Sequence, residues 1–102
     1  MAEIIFNSTV NGGITDLDVK INDKLIPTDN SDGVYSIKYT INNCVIKIVY
    51  ELTGMNGTDY TIDYTCLCDN VNKIDTTKRS PVSGTITSGN YKTETIIIRC
   101  NP

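Results

Sequence analysis

Between Val34 and Cys68 apolar and polar side chains alternate almost without a break, and that alternation admits one kind of backbone. Tyr35, Ile37, Tyr39 and Ile41 alternate with Ser36, Lys38 and Thr40. Cys44, Ile46, Ile48, Tyr50 and Leu52 alternate with Val45, Lys47, Val49 and Glu51, and a third run places Tyr60, Ile62, Tyr64, Cys66 and Cys68 on one phase. A period of two belongs to extended chain, whose successive side chains point to opposite faces. No stretch sustains a helical period. The abundance of Ile, Thr, Asn and Tyr over Ala and Leu points the same way, because β-branched and aromatic side chains suit a pleated, half-buried surface. At 102 residues the chain reads as one domain, 1–102, around a single core.

Turn residues between the runs predict how they pair. Asn11-Gly12 is a strong hairpin signal; a two-residue turn there sets Phe6 opposite Leu17 and Ile4 opposite Val19. A turn at Asn42-Asn43 sets Ile41 against Cys44, Tyr39 against Ile46, Ile37 against Ile48 and Tyr35 against Tyr50, with Lys38 facing Lys47. A turn at Asn56-Gly57 would pair Ile62 with Glu51, whereas a five-residue loop from Gly54 to Thr58 pairs Tyr60 with Leu52, Ile62 with Tyr50 and Tyr64 with Ile48. Because a one-residue slip moves every side chain to the other face, the longer loop is preferred. Gly89-Asn90 closes a last pair, with Thr93 opposite Ile86 and Ile97 opposite Val82.

Pro27 limits Lys24 to Ile26 to a short edge segment, and Asp29 to Gly33 is a turn cluster. Asp29 and Asp32 suggest calcium, but setting Gly33 at the sixth place of a calcium loop puts Thr28 first and Tyr39 twelfth, where acidic ligands are required. The run TDNSDGVYSIKY resembles the turn-then-strand pattern of immunoglobulin-like and prealbumin-like β-sandwich modules. It spans a dozen residues and carries no functional side chain; the resemblance implies architecture alone. Seven strands with turn signals every 8–12 residues thus predict an antiparallel β-sandwich, with a small β-barrel as the alternative.

Residues 69–81 form the longest stretch without alternation and hold Lys73, Lys78 and Arg79. They are the candidate binding loop for an acidic partner. The C-terminal strand carries Ile96 and Ile98 on one phase and Ile97 on the other, so it needs cover on both faces or marks a homo-oligomer interface.

Cys44, Cys66, Cys68 and Cys100 all fall on apolar phases, and three readings of them stand. They are core thiols; or they form one or two disulfides, with Cys44 bridging Cys66 or Cys68 and Cys100 taking another; or all four hold a structural zinc. Zinc is disfavoured because the spacings of 22, 2 and 32 lie along strands rather than on knuckles. Cys66 and Cys68 are about 6.5–7 Å apart along one strand, at the limit for a bridge.

The chain has no histidine, which excludes Ser-His-Asp and Cys-His catalysis and any His-ligated metal. It has no phosphate-binding glycine fingerprint. Asp16, Asp18, Asp59, Asp63 and Glu51 remain as acids, and read as solvated strand faces. Tyr35, Tyr39, Tyr50, Tyr60 and Tyr64 share an apolar phase and read as core-rim residues rather than a nucleic-acid stacking platform. A net charge of −3 supplies no basic footprint for nucleic acid or anionic membrane. No apolar run reaches the 18 residues of a membrane span. The first ten residues do not have the pattern of a signal peptide, and both an intracellular and an extracellular setting stay open. Asn7-Ser8-Thr9 and Asn56-Gly57-Thr58 match the glycosylation pattern, at the level expected by chance in so Asn/Thr-rich a chain.

The expectation is therefore a non-enzymatic binding or structural module, needing no cofactor, that acts on a protein or glycan through loops or a strand edge, alone or within a larger assembly. The alternative is a small secreted effector: lectin-like, inhibitory or membrane-active.

Overall fold

In the computed structural model of the chain, which describes residues 3–69, 74–87 and 89–100, the alternating runs are all strands. In chain order these are β1 (Glu3–Gly12), β2 (Ile14–Ile21), β3 (Lys24–Ile26), β4 (Asp29–Ser31), β5 (Val34–Asn42), β6 (Val45–Gly54), β7 (Asp59–Cys68), β8 (Ile74–Thr76), β9 (Val82–Thr85) and β10 (Tyr91–Cys100). The seven expected strands are present, and β3, β4 and β8 add three short ones. They make two antiparallel five-stranded sheets: a first, ordered β4-β5-β1-β7-β9, and a second, ordered β3-β2-β6-β10-β8. The sheets pack face to face as a sandwich, not a closed barrel. Among the described residues no helix is long and apolar enough to cross a membrane.

The pairing differs from the expected hairpins. β1 pairs with β5 and β7 rather than β2, β6 pairs with β2 and β10 rather than β5 or β7, and β9 lies in the other sheet from β10. The expected central meander is thus a chain that crosses from sheet to sheet, and Lys38 never faces Lys47. Near Gly89-Asn90 a single bridge remains, Thr87 to Tyr91. The physical reason is that an arch across the core brings apolar phases together just as a hairpin does. Matching faces cannot separate the two.

Turn geometry does separate them, because a two-residue primed turn needs positive φ at its first central residue, and at both in type I′. Asn22 and Asp23 (φ 51° and 67°) meet that requirement and join β2 to β3, as do Asp32 and Gly33 (52° and 84°) between β4 and β5. At Asn11-Gly12 only the glycine is positive, at 136°. Gly12 continues β1 opposite Tyr60, where an added Cβ would stand 2.8 Å from the Tyr60 Cα. Neither Asn42 nor Asn43 has positive φ. Asn43 Oδ1 instead accepts the Cys44 N–H at 2.8 Å and shapes the bend that carries the chain across.

Inward phases of both sheets fuse into one core containing Phe6, Ile37, Ile48, Tyr50, Ile62, Ile96 and Ile98. Phe6 stacks on Tyr64 with ring centroids 5.9 Å apart, a diagonal contact between the neighbouring strands β1 and β7. Two tyrosine hydroxyls tie the sheets together inside this core. Tyr50 of β6 shares a 2.7 Å hydrogen bond with Ser8 of β1, and Tyr60 of β7 donates to Glu94 of β10 at 2.6 Å. Burial pushes the Tyr50 hydroxyl well above its ordinary range, so it stays a neutral partner.

β10 lies between β6 and β8, with Ile96 and Ile98 fully buried and Ile97 half-buried on the outside. Its C-terminal flank is taken by β8 over Ile98 to Cys100.

Candidate functional site

The outer face of the first sheet carries the candidate site, and register builds it. β5, β1 and β7 lie side by side, so their polar phases fall into rows across the strands. Lys38 stands opposite Asn7, and Asn7 opposite Thr65. Two residues along, Asp29 stands opposite Ser36, Ser36 opposite Thr9 and Thr9 opposite Asp63. These two rows line a trough of about 540 Å³. A second hollow of about 450 Å³ continues it past β7, sharing Tyr64, Thr65 and Ser80 and adding Leu67 and Arg79.

The segment from Thr76 to Ser80 walls this hollow: Ser80 lines the trough, Thr76, Arg79 and Ser80 line its continuation, and buried side chains hold the segment in place. The Tyr64 hydroxyl bonds Thr76 Oγ1 at 2.9 Å and also donates to the Lys78 carbonyl. The Tyr64 N–H donates to Ser80 Oγ at 3.0 Å. Lys78 Nζ reaches Glu94 at 2.6 Å, and Glu94 also accepts the Tyr60 hydroxyl. Gly84 allows that hydroxyl its position, since an added Cβ would stand 2.6 Å from Tyr60 Cζ.

The candidate binding loop is therefore rearranged. Lys78 is a wall anchor paired with a buried carboxylate, not a free cation. Arg79 is exposed at the second hollow, and Lys73 lies outside the described residues.

The Glu94 anchor has a pH signature. Burial pushes its carboxyl up, but the Lys78 ammonium and the Tyr60 hydroxyl outweigh burial and hold it below its ordinary value of 4.5. A depressed folded-state pKa stabilises above the unfolded value and is lost as pH falls through the folded one. Urea midpoints are expected to fall below pH 4.5, and Glu94→Gln should flatten that fall by about 1 kcal/mol, kept small because Lys78 remains partly solvated. An identical acid limb in both proteins would count against the anchor.

The cysteines resolve into one disulfide. Cys68 of β7 bridges Cys100 of β10, joining the two sheets with a Cα separation of 5.8 Å. This corrects the expected bridging of Cys44 to Cys66 or Cys68, which assumed that β6 and β7 were neighbours in one sheet. Cys44 is free and exposed; Cys66 is free and buried, and burial pushes its thiol up to about 11. The zinc reading loses two of its ligands to the bridge.

Compared with protein-family models, curated proteins and solved structures, the chain matches none. Its chemistry has to be read from its own residues.

The acids are spread over both outer faces: Asp18 stands opposite Glu51 on the second sheet, while Asp29 and Asp63 end one row of the trough on the first. Asp63 lies on the outer face of the first sheet, whereas Glu51 lies on the outer face of the second, with Lys20 at 3.3 Å and the Tyr91 hydroxyl at 2.9 Å. Asp59 accepts the Thr85 hydroxyl at 2.6 Å. Tyr35, Tyr50, Tyr60 and Tyr64 are buried, and of these four Tyr64 alone contributes to the lining of the trough.

What the trough presents is an array of hydroxyl, amide, carboxylate and ammonium groups on rigid strands. Sequence reasoning put Ser36 and Lys38 on a polar phase but did not join them with Asn7, Thr9 and Thr65 as a site. Their alternation was the available signal; the neighbour relation of β5, β1 and β7 was not.

Proposed function

We propose that the chain is a non-enzymatic binding module whose ligand face is the outer trough of the first sheet, and that its ligand is a neutral, hydroxyl-rich chain: an oligosaccharide. The observation that carries this reading is the pair of polar rows crossing neighbouring strands in one trough. Most of their side chains are short, so few rotamers are lost on binding. Ser, Thr and Asn offer both donors and acceptors, and Asp29, Asp63 and Lys38 add charged ones, which suits alternating hydroxyls. A protein partner would call for aromatic or arginine anchors at the centre of the face, and the rows supply none.

Titration of ¹⁵N-labelled protein with a panel of neutral oligosaccharides tests the reading. At least one sugar should shift the amides of Asn7, Thr9, Lys38 and Thr65 together. Asn7→Ala should then weaken binding about tenfold, the equivalent of one good polar contact, without moving the unfolding midpoint by much. Silence across the panel, or shifts confined to the second sheet, would overturn it.

A further inference from the structure

We propose that Cys44 is a resident exchange thiol for the Cys68–Cys100 disulfide, so that the chain can trade a bridge between its sheets for one within the second sheet. Four cysteines gather toward one end of the sandwich, and the register places one free thiol directly across from the bridge. Val45 pairs with Arg99, so the next position pairs Cys44 with Cys100. The Cys100 N–H donates to the Cys44 carbonyl at 2.8 Å, which confirms the alignment of the two backbones. Residues opposed in a hydrogen-bonded antiparallel pair have Cα atoms about 5.5 Å apart, within the 4.4–6.8 Å that a disulfide spans. Cys100 therefore lies within bridging reach of Cys44 on its own sheet and of Cys68 on the other.

The two free cysteines differ in what they can do. Cys44 is exposed at the bend before β6, with its thiol open to solvent bases. Cys66 shares the inner face of β7 with Cys68 and is buried among apolar neighbours, which keeps it protonated and a poor nucleophile. Exchange thus starts from Cys44.

The Cys44 thiol gives its proton to solvent, and the thiolate attacks the Cys100 sulfur. A Cys44–Cys100 bond forms as the Cys68–Cys100 bond breaks. The electron pair leaves on the Cys68 sulfur, which takes up a proton. Nothing is oxidised or reduced overall. The product has lost the tie between the sheets and carries two neighbouring thiols, Cys66 and Cys68.

The test is disulfide mapping of the whole chain by mass spectrometry after alkylation. Native protein held at mildly alkaline pH and only then quenched with iodoacetamide at successive times should accumulate chains with a Cys44–Cys100 bridge and alkylated Cys68, at a rate that rises with pH. Cys44→Ser should abolish them. In Cys68→Ser, folded in a glutathione redox buffer that supplies the oxidant, Cys44 and Cys100 should pair and the free-thiol count should be one per chain, at Cys66. Alkylation of native protein at Cys44 alone, with Cys68–Cys100 intact at every time point, would overturn the proposal. So would a Cys66–Cys100 bridge in Cys68→Ser. The trapping experiment uses the unaltered chain and stands even if the variant folds poorly.

Discussion

Replacing both Cys68 and Cys100 by Ala is expected to lower the unfolding free energy by about 3.7 kcal/mol, the chain-entropy value for closing a loop of this length. The bridge spans 32 residues of sequence and ties β7 of the first sheet to β10 of the second. Without it the unfolded chain regains that loop entropy, while the folded core keeps its apolar contacts. For a domain of this size the loss corresponds to a fall in melting temperature of roughly 15–30 °C. Both partners are replaced so that no unpaired thiol is left opposite Cys44. Cys66→Ala provides the contrast, since it removes one buried sulfur and no cross-link. Thermal and urea unfolding of the two proteins side by side makes the measurement. A change below about 1 kcal/mol in the double variant would show that the inter-sheet bridge does not limit the stability of the sandwich.

Much of this molecule is legible in its alternation. The strands, their approximate limits and the inward phase of most follow from it: Phe6, Ile37, Ile48 and Ile62 all face the core, whereas the last strand is apolar on both phases and only the structure turns Ile96 and Ile98 inward and Ile97 out. Glu94 shares the phase of Ile96, Ile98 and Cys100, and its burial became visible only once the structure turned that phase inward. Pairing is what the alternation hides. Ile37 and Ile48 share an inward phase whether β5 and β6 lie side by side or face each other across the core. Turn chemistry held the distinction, but ambiguously. Asp32-Gly33 and Asn11-Gly12 carry similar signals, and only the first makes a primed turn; the close approach of Tyr60 requires the second glycine for a different reason. The trough inherits the same ambiguity. Asn7, Lys38 and Thr65 are solvent-phase residues on three separate strands until the order β5-β1-β7 makes them one row. The Cys68–Cys100 bridge depends on β7 and β10 meeting across the core, which no local pattern near either cysteine states.

Phe6→Ala should cost about 3–5 kcal/mol, the range for truncating a fully buried aromatic side chain. Phe6 is completely buried on β1, the middle strand of the first sheet, and stacks on Tyr64 of β7. Truncation removes its apolar transfer free energy and leaves a cavity against a ring whose position is constrained from the other side. Tyr64 cannot simply follow into the gap, because its hydroxyl is held by Thr76 and by the Lys78 carbonyl. The cavity should therefore collapse poorly, which places the cost toward the upper end of the range. If Tyr64 does follow, the Thr76–Ser80 wall moves with it, and the trough changes shape although no residue in its rows has been altered. Phe6→Leu should cost less, because it keeps most of the apolar volume. Tyr64→Phe isolates the hydroxyl: it keeps the stacked ring and frees the wall, so the core is spared while the amides of Lys78 to Ser80 shift. Urea unfolding of the three variants, with amide spectra of each, separates core packing from wall placement. If Phe6→Ala costs under about 1 kcal/mol, or leaves the Ser80 amide unmoved while the Tyr64 ring shifts, the mechanical link from the inner face of β1 to the ligand face is wrong.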